Sequence, residues 1–312
     1  MPSLPDPHPN PWPESWPDFW IDAETFVAAP LAELVILPVP YEATTTYRKG
    51  CQHGPGAILA AADQLEHYDV ELGQAVCFRL GVGVCEPVAD SQSQPELAPE
   101  QMVEVVEQRV LGLLEAGKFV ITLGGEHGIT AGVVSAYQLH FEAPFTVVQI
   151  DAHGDLRHSY QGSIYNHACV MRRIVDMGIP TLPIAIRSIC QEEAELIAAQ
   201  QIPVIWDHDR PHQPDWIARA IAQIHTEQVF ITIDLDGFDP ALIPGVGTPQ
   251  PGGLGWQEGT TFLRALFTQK TVIGADVMEL APLADSVVSE FTAAKLVYKL
   301  IGYYALANGK LV

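Results

Sequence analysis

The chain has 312 residues, of which 48% are hydrophobic and 17% charged, enough to bury a large core within one domain. It carries 38 Asp and Glu against 16 Lys and Arg, for a formal net charge of −22. This charge repels phosphate backbones, argues against nucleic acid as a partner, and favours small cations or metal ions. Five scattered cysteines, without a C-x-x-C pair, favour a reducing compartment. With no export signal and no apolar run of membrane-spanning length, we expect a cytoplasmic protein without membrane contact.

The first 22 residues are rich in proline and tryptophan, and proline disfavours both helices and central strands. We therefore expect an extended arm over residues 1–22, followed by one catalytic domain over residues 23–312. Three tryptophans could anchor the arm on the body or on a neighbouring subunit, or the arm could be a partly ordered tail. Those tryptophans are Trp12, Trp16 and Trp20.

From Ala32 onward, short apolar runs alternate with amphipathic stretches, which is the pattern of βαβ units and a parallel sheet. The predicted strands are LVILPVP, FVITL, FTVVQI, LPIAI, IPVIW, VFITIDL and VIGADVMEL. Helical spacing is clearest over residues 99–118, and further helices are predicted near 56–67, 168–177, 215–226 and 289–308. The expected fold is α/β: a single three-layer domain with a mostly parallel central sheet of about eight strands, flanked by helices.

Four of the predicted strands end in ionisable residues. The motifs are GGEHGIT at 124–130, DAHGD at 151–155, DLDGFD at 234–239 and DVMEL at 276–280. Because the carboxyl ends of parallel strands meet at one edge of a sheet, where crevices bind ligands, residues distant in sequence should converge there.

The side chains of these motifs suit divalent cations. Alternation along an extended segment puts the Asp, His and Asp of DAHGD on one face, and likewise the two Asp of DLD. Four carboxylates and two imidazoles, with no thiolate, match manganese better than structural zinc. One such motif could be a helix cap or a loop charge, but three in this order favour two ions with shared carboxylates. The residues are His127, Asp151, His153, Asp155, Asp234 and Asp236.

Together these motifs resemble the ureohydrolase family, which includes arginase, agmatinase, guanidinobutyrase, guanidinopropionase and formimidoylglutamase. The likeness also covers GCQHGPGAI at 50–58, YDVELG at 68–73, NHA at 166–168, DLDGFDPALIPGVGTPQPGGL from Asp234, and MELAP from Met278. The likeness spans most of the chain after the arm. Within the family, the sequence most resembles prokaryotic agmatinases. The resemblance implies an arginase-like fold and a hydrolase acting on guanidino compounds.

The resemblance also implies roles for individual residues. Asp151 and Asp234 would bridge two Mn²⁺ ions per subunit; His127 and Asp155 would complete the first site, and His153 and Asp236 the second. Oxygen and imidazole ligands also accept Ni²⁺ or Co²⁺.

Three residues would carry the proton and substrate chemistry. His167 would shuttle protons, Glu279 would receive the guanidinium, and Asp155 would pass a proton to the leaving amine. Departures from the family pattern, Gly128 and Gly154, lie beside ligands without being ligands.

The expected substrate is agmatine or aminopropylagmatine, cleaved to urea and putrescine or spermidine. The stretch LRHSYQGSIYNH at 156–167 lacks the Ser, Thr and Asn cluster that receives the amino-acid end of arginine in arginases. Tyr160 and Tyr165 could instead offer aromatic faces to a distal ammonium. Arg157 keeps a guanidino acid such as 4-guanidinobutyrate open, and arginase activity is a further alternative.

Three further expectations complete the sequence-based hypothesis. By resemblance, the chain should form a homo-oligomer, a trimer or a hexamer. A deacetylase-like metal hydrolase on the related fold is a more distant alternative, although that family lacks a ligand of the His127 type. A noncatalytic regulatory homologue is the other distant alternative.

Overall fold

The structure is a computed structural model that describes residues 20–21 and 27–311. Trp20 is fully buried in the hydrophobic core, next to Ile21. The rest of the proposed arm, including Trp12 and Trp16, and its boundary with the catalytic domain lie outside the described residues. The division at residues 22 and 23 therefore stays a prediction.

The centre of the molecule is an eight-stranded sheet in which every neighbouring pair is parallel. The strands, in chain order, are β1 (Leu34–Val39), β2 (Tyr68–Asp69), β3 (Gln74–Ala75), β4 (Val82–Val84), β5 (Phe119–Gly124), β6 (Phe145–Ile150), β7 (Thr181–Ile186), β8 (Ile205–Trp206), β9 (Gln228–Asp234) and β10 (Thr271–Met278). Across the sheet their order is β4-β1-β5-β10-β9-β6-β7-β8, while β2 and β3 form a separate antiparallel hairpin.

Helices cover both faces of this sheet and bury it between two apolar clusters. They are α1 (Gly54–Ala62), α2 (Pro99–Glu115), α3 (Thr130–His140), α4 (Val170–Asp176), α5 (Gln191–Gln200), α6 (Trp216–Ala222), α7 (Trp256–Gln269) and α8 (Val288–Ala307). Buried residues of α1, α6, α7 and α8 belong to one cluster, and those of α2, α3 and α4 to the other. The predicted three-layer α/β domain with a parallel sheet is confirmed.

Each apolar run predicted as a strand contains a strand, although β8 is reduced to two residues. Three helices and one sheet strand were missed. Helix α3 is buried on nearly every side and so lacks an amphipathic pattern, whereas most of α5 is exposed. Strand β4 has three residues, too few to show alternation, and is defined by its pairing with β1. Within the described residues, no helix combines the length and apolarity needed to cross a bilayer.

Candidate metal centre

The four strands that carry the ionisable motifs are neighbours in the middle of the sheet, in the order β5-β10-β9-β6. Strand pairing sets Asp234 at the end of β9 opposite Met278 at the end of β10. On the other side of β9, Ile233 pairs with Ile150, which immediately precedes Asp151. The carboxylates converge at one edge of the sheet because both the strand order and the register of the strand pairs bring them together.

A first group of possible ligands surrounds the imidazole of His127, which begins a short 3₁₀ turn after β5. Its Nδ1 lies 3.2 Å from Asp151 Oδ2, 3.1 Å from Asp155 Oδ2 and 3.5 Å from Asp234 Oδ2. His127, Asp151 and Asp155 are buried, and their ligand atoms lie within 4.8 Å of one another. This arrangement can hold one metal ion.

A second group shares Asp151 with the first. It contains Asp151, His153 and Asp236, again with ligand atoms within 4.8 Å of one another. His153 Nδ1 lies 3.0 Å from Asp236 Oδ2 and 3.7 Å from Asp151 Oδ1. Because the two oxygens of Asp151 face different groups, this residue is placed to bridge two ions.

The buried polar atoms of the site fit a cation. His127 Nε2 lies 2.9 Å from Thr232 Oγ1, so a hydrogen on Nε2 can be donated to the threonine. The Nδ1 lone pair then points among three carboxylate oxygens, and Nδ1 makes no hydrogen bond of good geometry. A lone pair facing carboxylates in a buried site is repulsive unless a positive charge lies between them.

The electrostatics of the carboxylates agree with this reasoning. Burial, followed by repulsion from Asp151, raises the pKa of Asp155 to about 7. Burial, followed by repulsion from Asp236 and Asp151, raises the pKa of Asp234 well above its usual range. Divalent cations would relieve this crowding and stabilise the ionised forms.

Local backbone geometry places two of the functional candidates. Asp155 has φ of 51° and Glu279 has φ of 67°, both in the left-handed region that non-glycine residues rarely adopt. Gly125 lets the chain turn after β5, since a Cβ there would lie 2.0 Å from the carbonyl oxygen of Tyr41. Strained backbone of this kind concentrates where side chains must be aimed at a ligand.

Glu279 lies directly beside the first group. Its Oε1 accepts a hydrogen bond from the backbone N–H of His127 at 2.7 Å. Its exposed fraction is only 7%, and burial, followed by repulsion from Glu126, raises the pKa of its carboxyl well above the usual range. Among the described residues no Lys or Arg pairs with it. A buried acid without a basic partner is suited to receive an external cation.

His167 begins the short turn that leads into α4, where Asn166 Oδ1 caps the N–H of Ala168 at 3.0 Å. The ring is partly buried, and this burial lowers the pKa of His167 to about 4. The structure therefore brings this histidine to the same edge as the ligand groups, in a neutral form.

Tyr160 and Tyr165 are both half-buried in the segment between the DAHGD motif and α4. The guanidinium carbon of Arg157 lies 4.7 Å above the ring of Tyr160, so this chain's own cation covers one face of that ring. The carbonyl oxygen of Tyr165 lies 2.9 Å from where a Cβ on Gly128 would be, so the glycine makes room for this segment beside the first ligand group. The roles of both tyrosines in substrate binding stay predictions.

Sequence reasoning missed a buried polar row beneath the ligands. Strand pairing aligns Thr122, Asp276, Thr232 and Gln149 across β5, β10, β9 and β6. Gln149 donates to Asp151 Oδ2 at 2.8 Å, and Thr130 donates to Asp276 Oδ2 at 2.9 Å. Alternation could have found Gln149, since residues 149, 151 and 153 share a face.

A second missed residue is Glu126, which is fully buried next to His127. It lies within the GGEHGIT motif, but nothing in the spacing distinguished it from a loop charge.

A parallel α/β sheet with carboxylates and imidazoles gathered at its carboxyl edge is typical of a metal-dependent enzyme. The Arginase family model matches residues 32–302. The N(1)-aminopropylagmatine ureohydrolase of Synechocystis is 57% identical over 290 residues, covering 93% of this chain and 95% of that protein. The agmatinase of Pyrococcus horikoshii is 36% identical over 280 residues, covering 88% and 93%. The crystal structure of the agmatine ureohydrolase of Thermoplasma volcanium has a TM-score of 0.81 and 30% identity, covering 95% and 98%.

The chain belongs to the arginase family. The predicted assignment as a ureohydrolase, a hydrolase acting on guanidino carbon–nitrogen bonds, is confirmed, and the deacetylase-like and noncatalytic alternatives are set aside. The two groups of side chains described above correspond to a binuclear metal site.

Proposed function

We propose that this protein hydrolyses an agmatine-type substrate, with aminopropylagmatine preferred, to urea and a polyamine. The observation that carries the proposal is the position of Glu279, a buried carboxylate that has no Lys or Arg partner among the described residues and accepts a hydrogen bond from the backbone N–H of His127. A guanidinium held there would be fixed next to the metal centre. Charge-assisted, planar pairing between guanidinium and carboxylate provides both orientation and binding energy.

Three features support a polyamine-type substrate over an amino acid. The Synechocystis relative, 57% identical, is named an aminopropylagmatine ureohydrolase, and this name is the basis for preferring the longer substrate. The net charge of −22 attracts a polycation. The segment over residues 156–167 contains no Thr, its two serines are separated by other residues, and its one asparagine caps the N–H of Ala168, so it offers little for recognition of an amino-acid end.

We propose His127, Asp151, His153, Asp155, Asp234 and Asp236 as the ligands of two Mn²⁺ ions, with Asp151 and Asp234 bridging. Such ions, when bound, would lower the pKa of a water molecule and make it a nucleophile at neutral pH. The ligand chemistry also suits Ni²⁺ or Co²⁺. Metal analysis of purified protein and reconstitution with each ion separately would identify the preferred one.

The protein's own groups would bind the substrate and move protons. Glu279 would hold the guanidinium with its planar carbon facing the ligand groups. Asp155, whose carboxylate lies beside the ligand atoms of the first group, could take the remaining proton of the attacking water and give it to the leaving nitrogen. His167 would exchange protons with the amine product. The balanced reaction consumes one water and yields urea and a primary amine.

Two properties of the whole protein follow from the family resemblance and are also proposals. We propose that the chain forms a homo-oligomer with three-fold symmetry, a trimer or a hexamer, and that it works in the cytoplasm. Light scattering coupled to size-exclusion chromatography would measure the number of subunits.

The test is urea release by Mn²⁺-loaded protein from four substrates compared side by side: aminopropylagmatine, agmatine, arginine and 4-guanidinobutyrate. We expect kcat/KM to be highest for aminopropylagmatine and lowest for the two carboxylate-bearing compounds. The Asp151→Asn variant serves as the inactive background. A preference for arginine or 4-guanidinobutyrate would overturn the substrate assignment.

A further inference from the structure

The proposed reaction leaves unexplained a fully buried carboxylate, Glu126, adjacent to His127. Its Oε2 accepts the backbone N–H groups of Ala43 at 2.7 Å and Thr44 at 2.6 Å. Its Oε1 lies 2.8 Å from the hydroxyl oxygen of Thr44. Two backbone N–H groups therefore converge on one oxygen of this carboxylate, which favours its ionised form.

Thr44 connects this carboxylate to His167. Its Oγ1 accepts the backbone N–H of His167 at 3.0 Å and lies 3.3 Å from the ring nitrogen Nδ1. A hydroxyl has a single hydrogen, and an ionised carboxylate can only accept. The Thr44 hydrogen must therefore go to Glu126, and the hydroxyl oxygen can then only accept from His167.

We propose that Glu126 and Thr44 fix the tautomer of His167, placing its ring hydrogen on Nδ1 and leaving Nε2 as the basic nitrogen. The reverse tautomer would set the lone pair of Nδ1 against the hydroxyl oxygen of Thr44, with no hydrogen between them. Hydrogen bonding at one ring nitrogen determines which form of the other is available for chemistry.

This inference gives Glu126 and Thr44 a function as positioning residues. The link to catalysis rests on the proposed role of His167, because only a basic Nε2 can accept a proton from the reacting groups. The tautomer itself does not depend on that role. The positioning role of Glu126 also explains why a carboxylate, which is costly to bury, occurs next to the turn that holds His127 without facing the ligand groups.

The direct test is ¹⁵N NMR of the full-length protein labelled at histidine and loaded with diamagnetic Zn²⁺. The His167 signals are assigned by their loss in His167→Asn. Spectra are recorded at pH 9. We expect Nδ1 to show the shift of a protonated nitrogen and Nε2 that of an unprotonated one. The opposite pattern in the wild-type protein would overturn the inference.

An isosteric variant should reverse the chain of hydrogen bonds. In Glu126→Gln the amide oxygen must face the N–H groups of Ala43 and Thr44, so the amide NH₂ faces the Thr44 hydroxyl. The hydroxyl would then donate to His167 Nδ1 and move the ring hydrogen to Nε2. Unchanged His167 shifts in this variant, with metal content and melting temperature preserved, would also contradict the proposal.

Variants at Thr44 test the same step without altering the carboxylate. Thr44→Val removes the acceptor for Nδ1–H and should free the tautomer equilibrium, while Thr44→Ser restores the hydroxyl and should rescue the wild-type shifts. Thr45→Val is the matched control, because the Thr45 hydroxyl donates to Glu42 at 2.7 Å and not to Glu126. A shift change as large in Thr45→Val as in Thr44→Val would count against the proposal.

Kinetics of the Mn²⁺-loaded enzyme separate this inference from the proposed function. We expect kcat of Glu126→Gln to fall by roughly 10²-fold, the scale of general acid–base catalysis, with KM nearly unchanged. If the tautomer of His167 switches in Glu126→Gln but kcat does not change, the tautomer assignment holds and its link to catalysis is wrong. Failure of the wild-type protein to release urea from any guanidino compound would instead reject the proposed function.

Discussion

Asp151 is the most constrained side chain of the metal centre. Its Oδ2 faces His127 and accepts from Gln149, while its Oδ1 faces His153 and accepts the N–H of that residue at 2.6 Å. Asp234 makes fewer contacts: its Oδ2 lies 3.5 Å from His127 Nδ1, and its Oδ1 accepts the N–H of Asp236. If both residues bridge as proposed, a neutral amide at either position would remove charge from both ion sites at once.

We expect Asp151→Asn and Asp234→Asn to lower metal affinity by more than about 100-fold, the upper range for losing a residue that merely supports a ligand. Activity should be lost with the metals. Asp239→Asn is the matched control, because Asp239 belongs to the same DLDGFD motif but accepts from the backbone of Ala241. Elemental analysis after gel filtration measures the stoichiometry. Two ions per chain in Asp151→Asn or Asp234→Asn would show that the bridging assignment is wrong.

Glu279 contacts the backbone of the ligand turn and not the ligand atoms, so its loss should separate substrate binding from metal binding. In Glu279→Gln we expect two ions to remain while kcat/KM falls at least roughly 30-fold, because losing one partner of a buried charge pair costs about 2–5 kcal/mol. Initial rates with aminopropylagmatine and metal analysis on the same sample test this. Loss of the metals with normal substrate binding would reverse the assigned role.

At the scale of elements, the hairpin β2–β3 is attached to α8 by a buried ion-pair cluster. Lys299 Nζ lies 2.8 Å from Asp69 Oδ1 and 2.7 Å from Glu71 Oε2, and Tyr303 donates to the same Glu71 oxygen at 3.0 Å. Lys299 is 5% exposed and Asp69 is 1% exposed. Removing the lysine would leave a buried carboxylate without its partner.

We expect Lys299→Met to destabilise the protein by about 3 kcal/mol at pH 7, the usual scale for breaking a buried pair. Burial raises the pKa of Asp69, but the hydrogen bond and charge of Lys299, together with the backbone N–H groups of Leu72 and Glu71, outweigh it and lower this pKa below its usual value. The stabilisation is thus present above the unfolded-state pKa of about 3.9 and is lost as pH falls through the lower folded-state value.

Urea denaturation of wild type and variant between pH 7 and pH 3 measures this difference, which should shrink at the acid end. Lys310→Met is the control: its pair with Glu33 is 40% exposed on both sides and should contribute less than about 1 kcal/mol. A constant difference across the pH range would exclude the ion-pair explanation.

Elements with a clear local sequence pattern could be predicted, and elements without one could not. Strands β5, β6, β9 and β10 are apolar runs ending in ionisable motifs, so both their type and their common edge could be predicted. Helix α7 carries Phe262, Leu263, Leu266 and Phe267 at helical spacing and could have been recognised. The role of Glu126 and the pairing of Thr122 with Asp276 could not, because their partners belong to other strands and loops. Side-chain contacts between distant segments leave no mark on local periodicity.

For the molecule as a whole, the metal centre concentrates negative charge inside a protein whose net charge is already −22. Ions that bind only the folded state stabilise it by about 2.7 kcal/mol per site at a free concentration of 100 times Kd. We expect chelation to lower the melting temperature by roughly 5–10 °C, and readdition of Mn²⁺ to restore it.

Calorimetry with and without chelator measures this shift. The sheet should persist after chelation, because its two apolar clusters lie on the faces of the sheet and not at the edge. The Asp151→Asn variant should show a much smaller response to Mn²⁺. An equal response in that variant would place the stabilising ions elsewhere on the protein.

The order of the central strands also constrains how the chain can be made. Strands β9 and β10 lie between β5 and β6, which are synthesised more than seventy residues earlier. A nascent chain cannot close β5 directly against β6 without blocking the position that β9 and β10 must occupy. Long-range pairing of this kind is slow to form. Completion of the sheet must therefore wait until Met278 has been synthesised, and chains truncated before Gln228 would lack Asp234, Asp236 and Glu279 altogether.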